Sequence, residues 1–271
     1  MAVRWKVMGV CNVTPDSFSD GGMLESVDAA TQHSLAMVVQ GAAIIDIGGE
    51  STRPGADPVD QAEELRRVIP VVEALAGAAP QVQISIDTTK AAVAQAAIEA
   101  GASFVNDVSA FTIEPQIAAV VAEAGCDCCL MHMAGTPQTM QQDPHYDDVT
   151  AEVTAYLAER AQLAIDAGIA PERIAVDPGI GFGKTLDHNL ELLAGLGSIV
   201  ALGFPVVIGL SRKRFLGELT GAELPEQRVA ATVAANVLAF ARGASVFRVH
   251  DVRPTVDALH VAAATLARDG R

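Results

Sequence analysis

Carboxylate and amide side chains recur directly after short apolar runs of this 271-residue chain. Asp87, Asn106 and Asp177 each end one run, and together they offer several hydrogen-bond acceptors and one amide donor group. Such a set suits a flat heterocycle that carries N–H donors. Any one of them could instead cap a helix or lie in a solvated turn. Polar or ionisable residues follow all eight runs, however, which favours one shared binding site.

Basic residues follow two other apolar runs. Arg53 comes after one of them, and Arg248 and His250 lie at the other. Arginine and histidine suit a phosphate or pyrophosphate group. The chain has 18 Lys and Arg against 33 Asp and Glu, a formal net charge of −15, so ion pairs with acidic neighbours are the alternative. We favour the anionic ligand, and Asn12 with nearby acidic groups could help to hold a hard cation that bridges a pyrophosphate.

Two glycine-rich patterns between residues 178 and 185 do not predict a nucleotide site. A phosphate-binding loop would require glycine at Pro178, and a dinucleotide fingerprint would require glycine or alanine at Lys184. We interpret the segment as a tight loop that presents Phe182.

The cysteines Cys126 and Cys129 form a C-x-x-C pattern, with Cys128 between them. A redox pair or half of a zinc site is one interpretation. The absence of a second such pattern and the apolar sequence that follows favour small buried residues in a strand instead.

The apolar runs predict β-strands, because they are nearly continuous in Val, Ile, Leu, Met and Ala, as strands buried on both faces are. The predicted strands span about residues 6–12, 43–48, 83–87, 103–108, 127–132, 173–177, 205–210 and 245–249. Helical patterns cover about residues 29–40, 62–75, 90–99, 115–124, 148–167, 186–193, 225–241 and 254–267.

Eight successive β-α units without a break in composition predict an α/β fold, a single (β/α)8 TIM barrel with residues 1–271 as one domain. An open doubly wound sheet is the alternative, since the strand count favours the barrel without proving it. In a barrel the C-terminal ends of all strands meet at one mouth, where active sites form. The polar residues described above would then converge there.

Composition excludes several classes of protein. A net charge of −15 disfavours non-specific binding to nucleic acid, because the surface would repel a polyanion. Hydrophobic residues make up 50% of the chain and charged residues 19%, as in packed globular proteins. No apolar run approaches the roughly 18 residues of a membrane helix. The first residues show no secretory signal, so we expect a cytoplasmic protein.

Eight segments, taken together, resemble the dihydropteroate synthase family of pterin-binding barrels. They cover residues 12–22, 46–55, 85–88, 106–109, 131–137, 177–184, 211–215 and 248–251, in order along nearly the whole chain. The most specific are Asn-Val-Thr-Pro-Asp-Ser-Phe-Ser-Asp-Gly-Gly, Asp-Ile-Gly-Gly-Glu-Ser-Thr-Arg-Pro-Gly and Ser-Arg-Lys-Arg-Phe. Cys11 stands where the family more often has an aliphatic residue.

The resemblance implies an enzyme of folate synthesis that joins 6-hydroxymethyl-7,8-dihydropterin diphosphate to p-aminobenzoate and releases pyrophosphate. It implies Mg²⁺ as cofactor and sulfonamides as inhibitors. The implied pterin ligands are Asp87, Asn106, Asp177 and Lys213. The implied diphosphate ligands are Asn12, Thr52, Arg53, Arg248 and His250, with Asn12 also near the metal. The implied p-aminobenzoate neighbours are Phe18, Thr52, Pro54, Phe182, Ser211 and Lys213. The implied catalytic residues are Asp20, Asp87, Asp177 and Lys213, with a dissociative displacement and with the loop of Phe18 and Asp20 closing over the site.

Two other functions stay open at this point. A pterin-binding methyltransferase would share the barrel but would not need the cationic set for a diphosphate. A pterin or folate carrier would need no leaving-group site, and the Ser-Arg-Lys-Arg and Arg-Val-His sequences argue against it. The apolar, small-residue helix predicted near residues 228–242 either packs under its neighbours or forms an interface. With the resemblance, we expect a homodimer.

Overall fold

The computed structural model describes residues 5–13, 23–51, 55–136 and 138–268, with side chains from residue 27 onward in the second range. Its strands are β1 (Lys6–Asn12), β2 (Ile44–Gly48), β3 (Gln83–Asp87), β4 (Phe104–Asp107), β5 (Asp127–Met131), β6 (Ile174–Asp177), β7 (Val207–Ile208) and β8 (Val246–Val249). Each predicted strand is therefore confirmed, with β7 much shorter than the sequence pattern suggested.

All eight strands are parallel and follow one another around a nearly closed barrel. The hydrogen-bonded order is β6-β5-β4-β3-β2-β1-β8-β7. A single parallel bridge between Val176 and Val206 joins the two ends of the sheet. The (β/α)8 barrel is thereby confirmed over the open sheet. Pro205 explains part of the weak closure, because proline has no N–H and only its carbonyl takes part, accepting from Val176 at 3.0 Å.

Helices surround the barrel. Among the described residues they are α1 (Met23–Val39), α2 (Gln61–Ala78), α3 (Ala91–Glu99), α4 (Gln116–Ala124), α5 (Val149–Asp166), α6 (Leu186–Ala194), α7 (Leu196–Val200), α8 (Arg214–Thr220), α9 (Val229–Ala241) and α10 (Val252–Leu266). The sequence pattern missed α7 and α8, which are too short to show a helical period. It also merged the 3-10 turn Pro225–Arg228 with α9.

Capping residues fix where several helices begin and end. Asp60 and Asp148 accept the backbone N–H groups of Glu63 and Ala151, at 2.8 and 2.9 Å, and so start α2 and α5. Gly125 ends α4 with a φ of 61°, a left-handed conformation that glycine adopts without strain. The caps of α2 and α5 thus fix the ends of two loops at the mouth, and Gly125 fixes a loop at the opposite end of the barrel.

The barrel interior is layered. A small apolar cluster fills its lower part and consists of Met8, Ile44, Phe104, Cys129, Ala175, Val207 and Val246. Side chains two residues further along a strand point to the same face. That period places Asp46 above Ile44, Asn106 above Phe104, Asp177 above Ala175 and Arg248 above Val246. Apolar residues thus close the bottom of the barrel, and charged residues line the mouth.

The cysteines are structural. Cys126, Cys128 and Cys129 are buried free thiols, the last two inside β5, as predicted for small strand residues. Cys11 is also buried, in β1. In the part of the chain that the structure describes, none of the helices has the length and apolar character of a membrane span.

Candidate active site

A fully buried carboxylate organises the floor of the mouth. Asp46, with none of its surface exposed, accepts hydrogen bonds from Ser85 Oγ at 2.6 Å, Asn106 Nδ2 at 3.1 Å and Arg248 Nε at 2.6 Å. These donors come from β3, β4 and β8, so one carboxylate on β2 ties together four strands. A buried charge needs such partners to offset its lost hydration.

Arg248 joins a second carboxylate to this network. Its Nη2 donates to Asp87 Oδ2 at 2.7 Å, while Nε donates to Asp46. The Arg248 side chain is 22% exposed, so part of it lies at the surface of the floor. The sequence favoured an anionic ligand over ion pairs for Arg248, whereas the structure shows ion pairs with two carboxylates. The pairing arises because β8, β1, β2 and β3 are consecutive in the barrel.

Burial shifts two acids at the mouth, Asp87 and Asp177, toward their neutral form. It raises the pKa of Asp87 to about 7, against the positive charge of Arg248, which lowers it. Burial also raises the pKa of Asp177, which the charge of Lys213 partly opposes. Asp177 accepts the backbone N–H of Gly179 at 2.7 Å. Perturbed carboxyl groups of this kind are typical of functional clefts.

Lys213 and Phe182 form one wall above the floor. The Lys213 Nζ atom lies 4.6 Å from the centre of the Phe182 ring and donates to the carbonyl of Ile180. Burial lowers the pKa of Lys213 to about 8, and Asp177 acts in the opposite direction. A cation, an aromatic face and a buried carboxylate therefore meet at the ends of β6 and β7.

Ser211 and His250 connect the ends of β7 and β8. The His250 backbone N–H donates to Ser211 Oγ at 3.1 Å, and His250 Nδ1 lies 3.0 Å from the same oxygen. The neighbouring Arg212 has a φ of 59°, in the left-handed region. Its guanidinium binds both oxygens of Asp251, at 2.9 and 2.7 Å.

Asn12 is half-buried at the end of β1. Its amide oxygen is a suitable Mg²⁺ ligand, since Mg²⁺ usually takes one or two protein oxygens together with substrate phosphates. Within the described ranges, no cluster of three or more acidic, histidine or cysteine residues forms a metal site. The residues therefore fit a metal that is shared with a phosphate-bearing substrate better than one held by the protein alone.

Several predicted site residues lie outside the described ranges. They are Phe18, Asp20, Thr52, Arg53 and Pro54. Their roles stay predictions from the sequence.

Comparison with known proteins places this geometry in a family. The model of the pterin-binding enzyme family matches residues 8–250. Dihydropteroate synthase of Escherichia coli K12 is 48% identical over 261 residues, which are 96% of this chain and 92% of that protein. The structure of Xanthomonas albilineans dihydropteroate synthase with 4-aminobenzoic acid has a TM-score of 0.92 and 53% identity, and covers 97% of this chain and 94% of that one. Yersinia pestis dihydropteroate synthase in a sulfonamide drug complex also has a TM-score of 0.92, with 46% identity over 98% of this chain and 96% of that one.

The chain belongs to the dihydropteroate synthase family. It is accordingly an enzyme, a transferase of folate synthesis that acts on small molecules.

Two parts of the site in this family member were not found from the sequence. Asp46 received no role, although a charged residue between Ile45 and Ile47 signals a buried ion pair. For Lys184, the sequence shows only a mismatch to a glycine motif and a place at the end of the segment 177–184 that resembles the family, and neither assigns it a role. It is 3% exposed, and its Nζ atom lies 2.9 Å from Nδ1 of His132, which is also buried. The sequence contains no signal for this burial, because a lysine directly after a glycine-rich turn is usually expected to be exposed.

Proposed function

We propose that this chain condenses 6-hydroxymethyl-7,8-dihydropterin diphosphate with p-aminobenzoate to give 7,8-dihydropteroate and pyrophosphate. The observation that carries the proposal is the meeting of two different surfaces at one mouth. A floor of buried acceptors lies beside a wall formed by Phe182 and Lys213. The first suits a heterocycle with N–H donors and the second suits a flat aromatic acid.

The pterin ring lies on the floor in this proposal. Asp87, Asn106 and Asp177 face the same space from β3, β4 and β6, and their oxygens would accept the N–H groups of the ring. Lys213 would donate to a ring acceptor from the side. Asp46 holds Asn106 in place without touching the substrate.

The diphosphate lies toward β1 and β8, near Asn12 and His250. Arg248 reaches it if Nη2 exchanges Asp87 for a phosphate oxygen, while Nε keeps its bond to Asp46. Asp87 is then released to accept from the pterin ring. Mg²⁺, when bound through Asn12 and the diphosphate, would neutralise charge on the leaving group.

The displacement is dissociative in this proposal. The pterin can spread positive charge as the bond to the diphosphate breaks, and the carboxylates of Asp87 and Asp177 would stabilise that charge. The amine of p-aminobenzoate is uncharged at neutral pH, so it can attack without a strong general base. The Phe182 ring would help to keep water away from the cation.

The second substrate lies between Phe182, Lys213 and Ser211. The lysine ammonium and the serine hydroxyl offer donors to its carboxylate, and the phenyl ring offers an apolar face. A sulfonamide carries the same aniline at a similar length. We therefore infer that sulfonamides compete with p-aminobenzoate, in line with the drug complex of the Yersinia pestis relative.

We also propose a cytoplasmic homodimer. Exposed residues of α9 form one apolar stripe at helical spacing, Ala230, Ala234 and Leu238, the last being 50% exposed. A Leu238→Glu variant should shift light scattering from dimer to monomer. If the parent protein and Leu238→Glu have the same mass in solution, the stripe is not a dimer interface.

Product formation tests the central proposal. The protein is mixed with both substrates and Mg²⁺, and pyrophosphate and dihydropteroate are measured. Equal amounts of both products are expected, with sulfonamide inhibition that added p-aminobenzoate overcomes. Binding of the pterin diphosphate without pyrophosphate release would support the carrier, and methyl transfer from a folate would support the methyltransferase.

A further inference from the structure

The turn that presents Phe182 is held at every carbonyl. From residue 180 to residue 183, each successive backbone oxygen accepts a hydrogen bond from a side chain. The donors are Lys213 to Ile180, Gln141 to Gly181 at 2.8 Å, Lys184 to Phe182 at 3.0 Å and Tyr146 to Gly183 at 2.9 Å. Ile180 and Gly183 are buried, so their carbonyls need partners within the protein, whereas Gly181 and Phe182 are only partly buried and water could serve their carbonyls. This degree of side-chain attachment indicates that the position of the turn matters.

Lys184 is the most buried of these donors that lies outside the substrate wall. Its Nζ atom contacts the Phe182 carbonyl and the Nδ1 atom of His132, at 3.0 and 2.9 Å. When Lys184 is protonated, its ammonium group only donates, so Nδ1 accepts and the ring proton lies on Nε2. Burial, with the charge of Lys184 second, lowers the pKa of His132 to about 3, so the imidazole is neutral. Both partners of the lysine are therefore uncharged, which makes its burial costly.

His132 provides a rigid support for the lysine. Tyr156 and Tyr146 contact its ring, with centroids 4.9 and 6.0 Å away. The turn also lies directly on the backbone of His132, because a Cβ atom on Gly179 would stand 1.8 Å from the His132 carbonyl oxygen. Gly179 has a φ of 66°, so glycine is required there for two reasons. The end of β5 thus serves as the base on which the turn is fixed.

We propose that Lys184, supported by His132 and Tyr146, is a positioning residue that fixes Phe182 and so sets the affinity for the aromatic amine and its sulfonamide mimics. The inference rests on the proposed place of p-aminobenzoate beside Phe182. Lys184 acts through the carbonyl of Phe182 and touches neither substrate. Loss of its hydrogen bond frees the turn to tilt the phenyl ring away from Lys213.

The test compares the KM values of the two substrates. Lys184→Met keeps an unbranched side chain, shorter by one atom, and removes its donors. We expect the KM of p-aminobenzoate and the inhibition constant of a sulfonamide to rise roughly tenfold, with the KM of the pterin diphosphate within about twofold of the parent value. A merely structural role would change both substrates alike. Equal changes in both KM values, or no change in either, would overturn the proposal.

A pair of tyrosine variants tests the same point if Lys184→Met fails to fold. Tyr146→Phe removes the hydroxyl that donates to the turn, whereas Tyr156→Phe removes one that lies 3.4 Å from the carbonyl of Ser109. Both rings stay against His132. Only Tyr146→Phe should raise the KM of p-aminobenzoate, by roughly threefold or more. Equal effects of the two variants would contradict the proposed role of the turn.

Phe182→Ala separates failure of this inference from failure of the proposed function. A raised KM for p-aminobenzoate in Phe182→Ala, with no change in Lys184→Met, would overturn the positioning role alone. An unchanged KM in Phe182→Ala would overturn both the positioning role and the placement of the amine.

Discussion

The floor and the rim of the mouth are built in different ways. On the floor, strand residues bind one another: Asp46 and Asp87 share Arg248, and the strand register sets their distances. On the rim, an ion pair joins Arg212 and Asp251, and other side chains bind backbone carbonyls, as Lys184 and Tyr146 do in the turn that carries Phe182. The floor is therefore fixed by the sheet itself, whereas the rim is fixed by contacts added from neighbouring loops.

This difference assigns separate tasks to the two regions. A floor of mutually paired charges is preorganised for one polar ring, because each charged group already has its direction set. A rim of attached turns can change its sequence without disturbing the barrel. If the tasks divide in this way, substitutions on the floor should lower the free energy of unfolding more than substitutions on the rim, and each region should control the affinity for one substrate.

The largest effect is expected for Arg248→Ala. It leaves Asp46 and Asp87 buried without their cation, so the free energy of unfolding should fall by roughly 3–5 kcal/mol. The rim pair of Arg212 and Asp251 is 32% and 17% exposed in its side chains, and Arg212→Ala should cost no more than about 1 kcal/mol. Urea unfolding of both variants checks the difference. Equal losses would show that the floor is not the more tightly coupled region.

The dependence of stability on pH gives the next test. Burial, followed by the charge of Lys213, lowers the pKa of Lys184 to about 7, while an unfolded lysine titrates near 10.4. Between these values the unfolded chain binds a proton that the folded chain lacks, so this residue makes stability increase with pH. The parent protein should therefore gain stability relative to Lys184→Met from pH 7 to pH 10. A difference between the two proteins that stays constant across this range would contradict the lowered pKa.

A smaller effect is expected for Ser85→Ala on the floor. It leaves one oxygen of the buried Asp46 without its donor, which should cost about 1–3 kcal/mol of unfolding free energy. Gln141→Ala removes an exposed donor to the Gly181 carbonyl, and water can replace it. Chemical denaturation should find the serine variant clearly less stable than the glutamine variant. If Gln141→Ala is the less stable variant, the floor is not more tightly coupled than the rim.

The sequence predicts the floor better than the rim, because the sheet fixes the floor and contacts between loops fix the rim. Apolar runs locate the strands, and the two-residue period then places Asp87, Asn106 and Asp177 on one face of the barrel wall. It does not show that Arg248 binds two of the carboxylates rather than an anion, because that depends on which strands are neighbours. The rim depends on left-handed backbone at Gly179 and on contacts with distant segments, and neither leaves a period in the sequence.

The most direct test of the account is a comparison of Asp177→Asn with Phe182→Ala. Calorimetry measures the Kd of the pterin diphosphate, and steady-state kinetics measure the KM of p-aminobenzoate. Asp177→Asn should weaken the pterin diphosphate by roughly 10- to 100-fold, the loss of a charged hydrogen bond, with the KM of p-aminobenzoate nearly unchanged. Phe182→Ala should raise the KM of p-aminobenzoate and leave the Kd of the pterin diphosphate nearly unchanged. The division of the mouth into a pterin floor and an aminobenzoate rim would be contradicted if Asp177→Asn weakened p-aminobenzoate and Phe182→Ala weakened the pterin diphosphate. Equal effects of each variant on both substrates would contradict it too.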